Sequence, residues 1–313
     1  MSQVVSVIVG AGPIGSALAR KLAADGHLVK LVTRSGSGPE LPQVELATLD
    51  ASDAAALTRA SEGAAAIYNC ASPAGYTKWA AEWPPLAAAM LRAATDTGAV
   101  LVTFSNLYGY GPVEGAMTRN TPMNPSDYKG EIRKRMWLEA LAAHEAGHVR
   151  VTEARASDYL GPTTSAANGM LARYADATFR GRQALVFGDP DQPHSWSYVD
   201  DVVATLALLG QDERAWGSAW LVPANPPATI RQVLQQMHRH LDLREPKAAS
   251  MPGWMLNAIG LVMPVLREVK GQLYQFDRPF VMDSSETTEL LGLKPTPWQT
   301  VVEVTASAWK TRY

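Results

Sequence analysis

Short apolar runs alternate with longer amphipathic stretches through the first half of the chain. The runs rich in Val, Ile and Leu predict strands that are buried on both faces of a sheet. They fall at residues 4–9, 28–33, 44–48, 65–69, 99–104 and 149–154. Stretches that read as helices separate them, at residues 13–25, 54–61, 84–97 and 126–146. This alternation predicts an α/β protein with a doubly wound parallel sheet.

After residue 162 the regular alternation stops. Helices are predicted at residues 166–179, 202–209, from the cap Thr229 to 241, and 301–309. Strands are predicted at residues 185–188 and 219–222, and the second of these is expected to rejoin the sheet. The apolar stretch at 251–266, continued to 276, predicts further helices. We therefore expect a sheet domain over residues 1–160, completed by residues 195–225, and a smaller substrate-binding or lid domain over residues 161–313.

A glycine-rich turn follows the first predicted strand at once. In this spacing Gly10 permits a tight turn, Gly12 lets the backbone approach a pyrophosphate, and Gly15 lets the helix lie close to the strand. Proline suits the first helical position, where its missing N–H is not needed. The helix start offers free N–H groups and a positive dipole end to phosphates. The turn therefore predicts a dinucleotide site formed by Gly10, Gly12, Pro13, Ile14 and Gly15.

The residues after the second strand indicate which dinucleotide binds. Arg34 and Ser35 follow that strand directly. A carboxylate here would bond the ribose hydroxyls and repel a 2′-phosphate, whereas an arginine attracts that phosphate. If Arg34 is more than a solvated surface side chain, NADP is therefore favoured over NAD, with Ser35 at the same site.

Two more strand ends supply small or polar residues to the same edge of the sheet. Asp50 and Ala51 follow the third strand and are candidates for contact with adenine, although Asp50 suits a turn equally well. Asp53 is expected to cap the next helix. Cys70 has no histidine nearby in sequence, so we interpret it as a small buried residue rather than a nucleophile. Small residues after the fourth strand let a cofactor pass closely, namely Cys70, Ala71 and Ser72.

Candidate substrate contacts lie farther along the same edge. Ser105 follows the fifth predicted strand, where open α/β sheets bind ligands. Three aromatic residues in the preceding loop either wall an apolar pocket or pack in the core or against another copy of the chain: Tyr76, Trp79 and Trp83. His194 is interpreted first as a structural histidine and second as a substrate contact.

Charge and composition exclude several other classes of protein. The net charge is −2 over 313 residues and no basic block stands out, so nucleic acid and anionic membranes are not favoured partners. A single cysteine cannot form an intrachain disulfide, and no signal peptide is recognised, which together lead us to expect a cytoplasmic protein. No His/Cys/Asp spacing points to a metal site. Asp200 and Asp201 suit a helix cap and first turn rather than an acid pair.

Five segments carry a family resemblance by their order and spacing. They are residues 10–15, Leu49-Asp50, residues 105–109, residues 155–162, and the run from Ser197 to Val202 with its Tyr-Val-Asp-Asp sequence. On these segments the chain resembles the extended and atypical short-chain dehydrogenase/reductases, which include nucleotide-sugar epimerases and dehydratases. The resemblance covers nearly the whole chain, and residues 278–285 look like the family's short late strand. It implies a Rossmann fold, a smaller C-terminal substrate-binding domain and a homodimer.

The resemblance fails at the catalytic signature. The family uses a Ser or Thr after the fifth strand and a Tyr-x-x-x-Lys helix, in which the Lys holds the ribose and lowers the tyrosine pKa while the Tyr moves a proton. Tyr128 is followed four residues later by Ile132, whereas Lys129 and Arg133 stand at the expected spacing. In one interpretation Arg133 holds the ribose and Lys129 or Tyr128 gives the proton, and in the other the proton machinery is lost. The catalytic candidates are Ser105, Tyr128, Lys129 and Arg133.

Three functions remain open at this point. The first is an NADP-dependent oxidoreductase that moves a hydride to or from a small carbonyl, alcohol or activated alkene. The second is a nucleotide-sugar epimerase or dehydratase, for which scattered basic residues could bind a diphosphate: Arg173, Arg180, Arg182 and Arg278. The third is an NADP-binding regulator or redox sensor without turnover.

Overall fold

The computed structural model describes residues 4–252, 255, 268 and 271–312. Its strands are β1 Val5–Val9, β2 Leu28–Thr33, β3 Val44–Thr48, β4 Ala66–Asn69, β5 Val100–Asn106, β6 Arg150–Ala156, β7 Tyr159–Leu160, β8 Ala184–Val186, β9 Ser197–Tyr198, β10 Ser218–Leu221 and β11 Ala248–Ser250. Its helices are α1 Pro13–Ala24, α2 Ala54–Ala60, α3 Trp79–Thr97, α4 Tyr128–Glu145, α5 Met170–Phe179, α6 Val199–Leu209, α7 Ile230–His240, α8 Ser285–Leu291 and α9 Trp298–Lys310.

Seven strands form one parallel sheet in the order β3-β2-β1-β4-β5-β6-β10. β10 pairs in parallel with β6, so the strand predicted at 219–222 does rejoin the sheet. Side chains of the strands alternate between two cores, as in β1, where Val7 and Val9 face one layer and Ile8 the other. The layer on the Ile8 side contains α1 and α6, and the opposite layer contains α2, α3 and α4. The doubly wound parallel sheet predicted from the alternation is therefore confirmed.

A second core follows the main sheet. It buries apolar side chains of α5, α7 and α9, among them Leu171, Met237 and Trp309, around the short parallel pair of β8 and β11. The cap predicted for α7 is present, since the Thr229 hydroxyl accepts from the Gln232 N–H and the Gln232 side chain accepts from the Thr229 N–H. This region lies next to the carboxyl end of the main sheet, and residues of both line one cavity there.

The predicted start of α3 is wrong. The prolines Pro84 and Pro85 suggested a helix start, but the helix begins at Trp79 and contains both prolines. Trp79 and Trp83 therefore lie on a helix and not in a loop, buried against Ile132 of α4. That packing outweighs the missing N–H groups of the prolines.

Several other boundaries also differ from the predicted ones. β5 and β6 extend two residues farther, to 106 and 156, which places Ser105 inside a strand rather than after it. α5 begins at 170 rather than 166, and α6 at 199 rather than 202. The late strand predicted at 278–285 forms only two isolated bridges, through Phe280 and Met282. Most of the helices predicted at 251–276 lie outside the described residues, and Leu273–Gln275 forms a 3-10 turn.

Candidate active site

A cavity of about 1180 Å³ opens at the carboxyl ends of β1, β4 and β5. The strand order runs from β1 to β2 and β3 on one side, and from β4 to β5 and β6 on the other. This reversal between β1 and β4 leaves a crevice outside the strand ends, which is where open α/β sheets bind their ligands. The cavity extends from the glycine turn to the region that follows β6.

The glycine turn forms one wall of the cavity through backbone rather than side chains. Gly10 has a φ of +99°, and a Cβ there would lie 2.7 Å from the Ala71 Cα. A Cβ on Gly15 would lie 1.9 Å from the Gly10 carbonyl oxygen, whereas one on Gly12 would meet no atom within 4 Å. The missing Cβ atoms of Gly10 and Gly15 thus allow the turn and the start of α1 to pack closely together. Gly12 leaves the backbone at the start of α1 accessible from the cavity.

Eleven of the twelve residues predicted to bind the cofactor line this one cavity. They are Gly10, Gly12, Pro13, Ile14, Arg34, Ser35, Asp50, Ala51, Cys70, Ala71 and Ser72. Gly15 is the exception, since it packs beneath the turn. Burial raises the pKa of the Cys70 thiol to about 12, so it stays protonated and is a poor nucleophile.

The end of β2 carries an exposed cation at the cavity. Arg34 and Ser35 both line it, opposite Asp50 at the end of β3. Hydrogen bonds from the Ser52 N–H and hydroxyl lower the pKa of Asp50, and the Arg34 charge contributes to the same shift. Asp50 therefore forms a local turn as well as lining the cavity. Asp53 caps α2 by accepting from the Ala56 N–H, as predicted.

Two of the four predicted catalytic residues reach the cavity. Ser105 is 3% exposed and lies at the carboxyl end of β5. The guanidinium carbon of Arg133 lies 4.1 Å from the ring centre of Trp83 and 5.1 Å from that of Trp79. Its Nε and Nη1 have no hydrogen-bond partner among the described residues. Burial lowers the pKa of Arg133 to about 10, so the side chain is still a cation at neutral pH.

The other two lie beside the cavity and do not line it. Lys129 is 2% exposed, and its Nζ lies 2.7 Å from an Asp127 carboxylate oxygen and 3.3 Å from one of Glu268. The Tyr128 hydroxyl donates to the Glu268 carboxylate at 2.7 Å and contacts the Tyr76 carbonyl oxygen at 2.9 Å. Both side chains thus hold the start of α4 to Glu268, and the catalytic roles predicted for them stay predictions.

Two tyrosines that were not predicted as catalytic share the cavity with Ser105 and Arg133. The hydroxyls of Tyr76 and Tyr108 lie 2.8 Å apart, and both residues line the cavity. Tyr108 lies inside the segment 105–109 that carried the family resemblance, so a signal was present. For Tyr76 the sequence indicates a pocket wall, core packing or a contact with another copy of the chain, and no catalytic role. Their pairing joins residues 32 positions apart, which no local pattern shows.

His194 contacts a residue that lines the cavity but does not line the cavity itself. It is buried, its Nε2 lies 3.0 Å from an Asp158 carboxylate oxygen, and its Nδ1 lies 3.1 Å from the Gln275 carbonyl oxygen. The ring stacks on Phe276. Asp158 lines the cavity and His194 does not, so the histidine orients a carboxylate there.

One of the four arginines considered for a diphosphate lies at the cavity. Arg173 lines its far end with Asn168. Arg180 and Arg182 instead approach Asp176, and Arg278 pairs with Asp277. Asp200 and Asp201 occupy the first turn of α6, as predicted, but the predicted cap is wrong, because Tyr198 stands at the cap position and Asp201 accepts from the Thr296 N–H and hydroxyl.

No group of three or more His, Cys, Asp or Glu side chains suited to a metal ion occurs among the described residues. None of the helices within the described ranges is long and apolar enough to cross a membrane.

The fold and the site together define a dinucleotide-binding α/β protein. They combine a parallel sheet with a glycine turn whose backbone, at Gly12 and the start of α1, is accessible from the cavity. The family model described as "NAD dependent epimerase/dehydratase family" matches residues 6–219. The chain belongs to this family and is an enzyme of the nicotinamide-dependent, short-chain dehydrogenase type. A search of curated protein sequences found no match.

Solved structures of several enzymes have the same fold over nearly the full chain. UDP-glucose 4-epimerase from Thermotoga maritima, solved with UDP-glucose, is 18% identical, covers 98% of this chain and 99% of its own, and has a TM-score of 0.81. A dTDP-glucose 4,6-dehydratase double mutant from Streptomyces venezuelae, solved with NAD, is 19% identical over 97% and 96%, with a TM-score of 0.78. An epimerase from Methanothermobacter thermautotrophicus is 16% identical over 99% and 93%, with a TM-score of 0.82.

Proposed function

We propose that this protein is an NADP-dependent oxidoreductase that moves a hydride to or from a small carbonyl, alcohol or activated alkene. The observation that carries this proposal is the continuity of the cavity. It joins the glycine turn and Arg34 at one end to Ser105 and Arg133 at the other. A dinucleotide laid along this path would bring its nicotinamide next to the two polar side chains at the end of β5 and on α4.

The residues present suit such a cofactor. The bare Gly12 wall and the N–H groups of α1 would receive the pyrophosphate, since no Cβ stands in the way. Arg34 and Ser35 would bind the 2′-phosphate, and Asp50 and Ala51 would contact the adenine. NAD is the less favoured cofactor because an arginine follows β2 where a carboxylate would be expected to bond its free ribose hydroxyls.

Ser105 and Arg133 would perform separate tasks at the other end. Bound there, the nicotinamide would supply or accept the hydride. The Ser105 hydroxyl would donate to the substrate oxygen and polarise the carbonyl. Arg133, a buried cation whose Nε and Nη1 have no hydrogen-bond partner within the described part of the chain, would hold the ribose hydroxyls in place of the family lysine.

The surroundings of Ser105 favour an apolar or aromatic substrate of modest size. Aromatic side chains dominate this part of the lining: Tyr76, Trp79, Phe104, Tyr108, Tyr159, Phe187, Phe276 and Phe280. A pocket lined by many rings together with polar side chains selects compounds that bury apolar surface and offer hydrogen-bonding groups. Asp158 adds a negative charge, which would disfavour a strongly anionic substrate.

A nucleotide-sugar substrate is the second candidate. Family membership and Arg173 with Asn168 at the far end of the cavity favour it. A diphosphate carries two or more charges, and Arg173 is the single one of the four arginines considered that lines the cavity. An epimerase would interconvert sugars without net change in the cofactor, whereas the first candidate would consume NADPH in proportion to product.

The first test is NADPH consumption with a panel of aryl aldehydes, ketones and enones, followed at 340 nm, beside UDP-glucose and dTDP-glucose analysed for epimerised or dehydrated sugar. We expect NADPH oxidation with members of the carbonyl panel. Tight NADPH binding without turnover of any compound would instead support the cofactor-binding regulator.

Cofactor choice has its own test in the variant Arg34→Gln. Loss of charge-assisted bonds to the 2′-phosphate should weaken NADPH binding by about tenfold to a hundredfold and leave NADH binding nearly unchanged. Arg20→Gln, an exposed arginine in the middle of α1, is the matched control and should change neither. Dissociation constants from nicotinamide fluorescence measure both. An equal loss for NADPH and NADH in Arg34→Gln would overturn the assignment of NADP.

A further inference from the structure

We propose that Tyr76 gives the proton to the substrate oxygen during carbonyl reduction, and that Tyr108 holds its hydroxyl in place and stabilises the tyrosinate that results. The inference rests on the proposed oxidoreductase function. It assigns the proton to a residue outside α4, the helix on which the proton donor was expected.

The hydroxyl pair lies at the edge of the sheet where the proposed substrate would bind. Tyr76 begins the 3-10 turn Tyr76–Lys78 after β4, and Tyr108 begins the turn Tyr108–Tyr110 after β5, three residues beyond Ser105. β4 and β5 are neighbours in the sheet, so both turns lie at the same edge of the sheet as Ser105. Their Oη atoms are 2.8 Å apart, and Tyr76, Tyr108 and Ser105 all line the cavity. Three residues that carry hydroxyl groups, at one edge of the sheet, therefore line the same cavity.

The geometry leaves one proton free for transfer. A tyrosine hydroxyl donates once, so if the Tyr108 hydroxyl donates to the Tyr76 oxygen, the Tyr76 proton is left to point into the cavity. The Trp79 ring fixes the pair, since it meets Tyr76 edge-on at 5.3 Å and stacks on Tyr108 at 6.0 Å between ring centres. Tyr128 also contacts the Tyr76 carbonyl oxygen at 2.9 Å, which anchors its backbone. Such pre-orientation is what general acid catalysis needs.

Charged groups surround the pair on several sides. Arg133 packs on the same Trp79 ring, with its guanidinium carbon 5.1 Å from the ring centre. The Lys129 Nζ lies 5.4 Å from the Tyr76 ring centre, while the carboxylates of Asp127 and Asp158 act in the opposite direction. Burial raises the pKa of Tyr76, and the hydrogen bond with Tyr108 and the Arg133 charge partly offset this. Tyr76 is therefore protonated at neutral pH, as an acid must be, and its anion has two stabilising partners.

The step balances with one hydride and one proton. The Tyr76 O–H bond would break as a new O–H bond forms on the substrate oxygen and the C=O π bond is lost. A bound reduced nicotinamide would supply the hydride to the carbonyl carbon, so that the carbonyl would be reduced to an alcohol at the expense of the cofactor. The Tyr76 oxygen then regains a proton from water at the cavity mouth, so that one proton is consumed in each turnover.

Phenylalanine variants separate this role from a structural one. With 4-nitrobenzaldehyde and NADPH as the probe pair, Tyr76→Phe should lower kcat by at least about a hundredfold, the usual scale of a general acid. Tyr108→Phe should lower it by about tenfold, the effect of losing one hydrogen bond to the anion. Tyr68→Phe is the matched control, because Tyr68 is buried in the core on the α1 and α6 side of the sheet and does not line the cavity, and its kcat should be unchanged. NADPH dissociation constants of all three should stay within about twofold of the wild-type value.

The pH profile gives a readout that a structural defect would not reproduce. In the wild type, kcat/KM for reduction should stay level to about pH 10, the ordinary tyrosine range, and fall only above it as Tyr76 loses its proton, because burial raises the pKa of Tyr76. Tyr108→Phe should move this fall to higher pH, because it removes a bond that favours the anion. Tyr76→Phe should abolish it, and a solvent deuterium isotope effect on the wild-type kcat should accompany the proton transfer.

The outcomes distinguish this inference from the function it rests on. If the wild type reduces the aldehyde and Tyr76→Phe keeps more than half of kcat, or keeps the high-pH fall, the inference is overturned and the oxidoreductase function stands. If the wild type reduces none of the carbonyl panel, the oxidoreductase proposal itself fails, and the proton role of Tyr76 fails with it.

Discussion

The three glycines of the first turn have different neighbours and therefore different tasks. Gly15 faces the Gly10 carbonyl oxygen so closely that a Cβ would lie 1.9 Å from it. Gly12 faces open space, has an ordinary φ of −68° and stands at the helix cap. The spacing of glycines in the sequence suggested all of these roles together. The contacts separate the glycine that the fold needs from the glycine that the ligand needs.

Alanine at each position tests this division. Gly15→Ala should lower the free energy of unfolding by at least about 2 kcal/mol, because backbone must move, even though alanine favours a helix interior by about 1 kcal/mol. Gly12→Ala should cost at most about 1 kcal/mol, since alanine is a poorer cap, yet it should weaken NADPH binding at least about tenfold by filling the pyrophosphate path. Urea unfolding and nicotinamide fluorescence measure the two effects. Normal NADPH affinity in Gly12→Ala would contradict the proposed path of the cofactor.

Single residues could be predicted from sequence where their position follows from the strand they end. Arg34 and Asp50 are such cases, because the end of a parallel strand is also a place at the edge of the sheet. The orientation of a helical side chain is harder to predict. Arg133 lines the cavity while Lys129, one turn earlier on α4, meets carboxylates instead. Glu268, the partner of Lys129, is 139 residues away, and no spacing in the sequence predicts this contact.

At the scale of elements, α4 depends on its first turn. Asp127 caps the helix by accepting from the Gly130 N–H and also pairs with Lys129 and the Gln272 amide. Lys129 further bonds the Glu268 carbonyl oxygen at 3.0 Å. One buried cation therefore joins the cap of α4 to a segment near the C-terminus. Its removal should loosen this junction.

The variant Lys129→Met tests that role. It leaves Asp127 and Glu268 without their shared cation, and breaking a buried pair on one side is strongly destabilising. We expect the free energy of unfolding to fall by about 2 to 4 kcal/mol, scaled down because both carboxylates are partly exposed. Arg135→Met, which removes an exposed pair with Glu139 on the same helix, should cost less than about 0.5 kcal/mol. Equal stability of Lys129→Met and the wild type would refute the structural role.

Element boundaries were predicted best where a single signal dominates. β2 and β3 have the bounds that their apolar runs predict, and α1 starts at its proline and stops within one residue of the predicted end. α3 was mispredicted because its first five residues are held by contacts of Trp79 and Trp83 with Ile132, a residue about fifty positions later. Tertiary packing overrode the local proline signal there.

At the scale of the whole molecule, two buried histidines link stability to pH. His27 bonds the Ser6 hydroxyl at 3.0 Å, and His238 bonds the Arg244 carbonyl oxygen at 2.6 Å. Burial lowers the pKa of both imidazoles. Below about pH 6.5 the two histidines bind protons in the unfolded chain but remain neutral in the folded chain. The contribution of these histidines to stability is therefore present above that pH and is lost as pH falls.

Unfolding at pH 7.5 and pH 5.5 measures this loss. The free energy of unfolding should be lower at pH 5.5, by at most about 1.4 kcal/mol per pH unit for each histidine. The double variant His27→Gln/His238→Gln should flatten this dependence, whereas His148→Gln, at an exposed position, should leave it intact. A double variant with the wild-type slope would assign the pH dependence to other groups.

The sequence by itself determined the parallel sheet, the glycine turn and the residues that end β1 to β5 at one edge. These depend on apolar periodicity and on glycine and proline geometry, which act within a few residues of the chain. The tertiary structure alone decided which side chains meet: Tyr76 with Tyr108, Arg133 with the tryptophans, and Lys129 with Glu268. These pairs come from elements far apart in sequence, and their contact depends on how helices pack over the sheet, which no local pattern encodes.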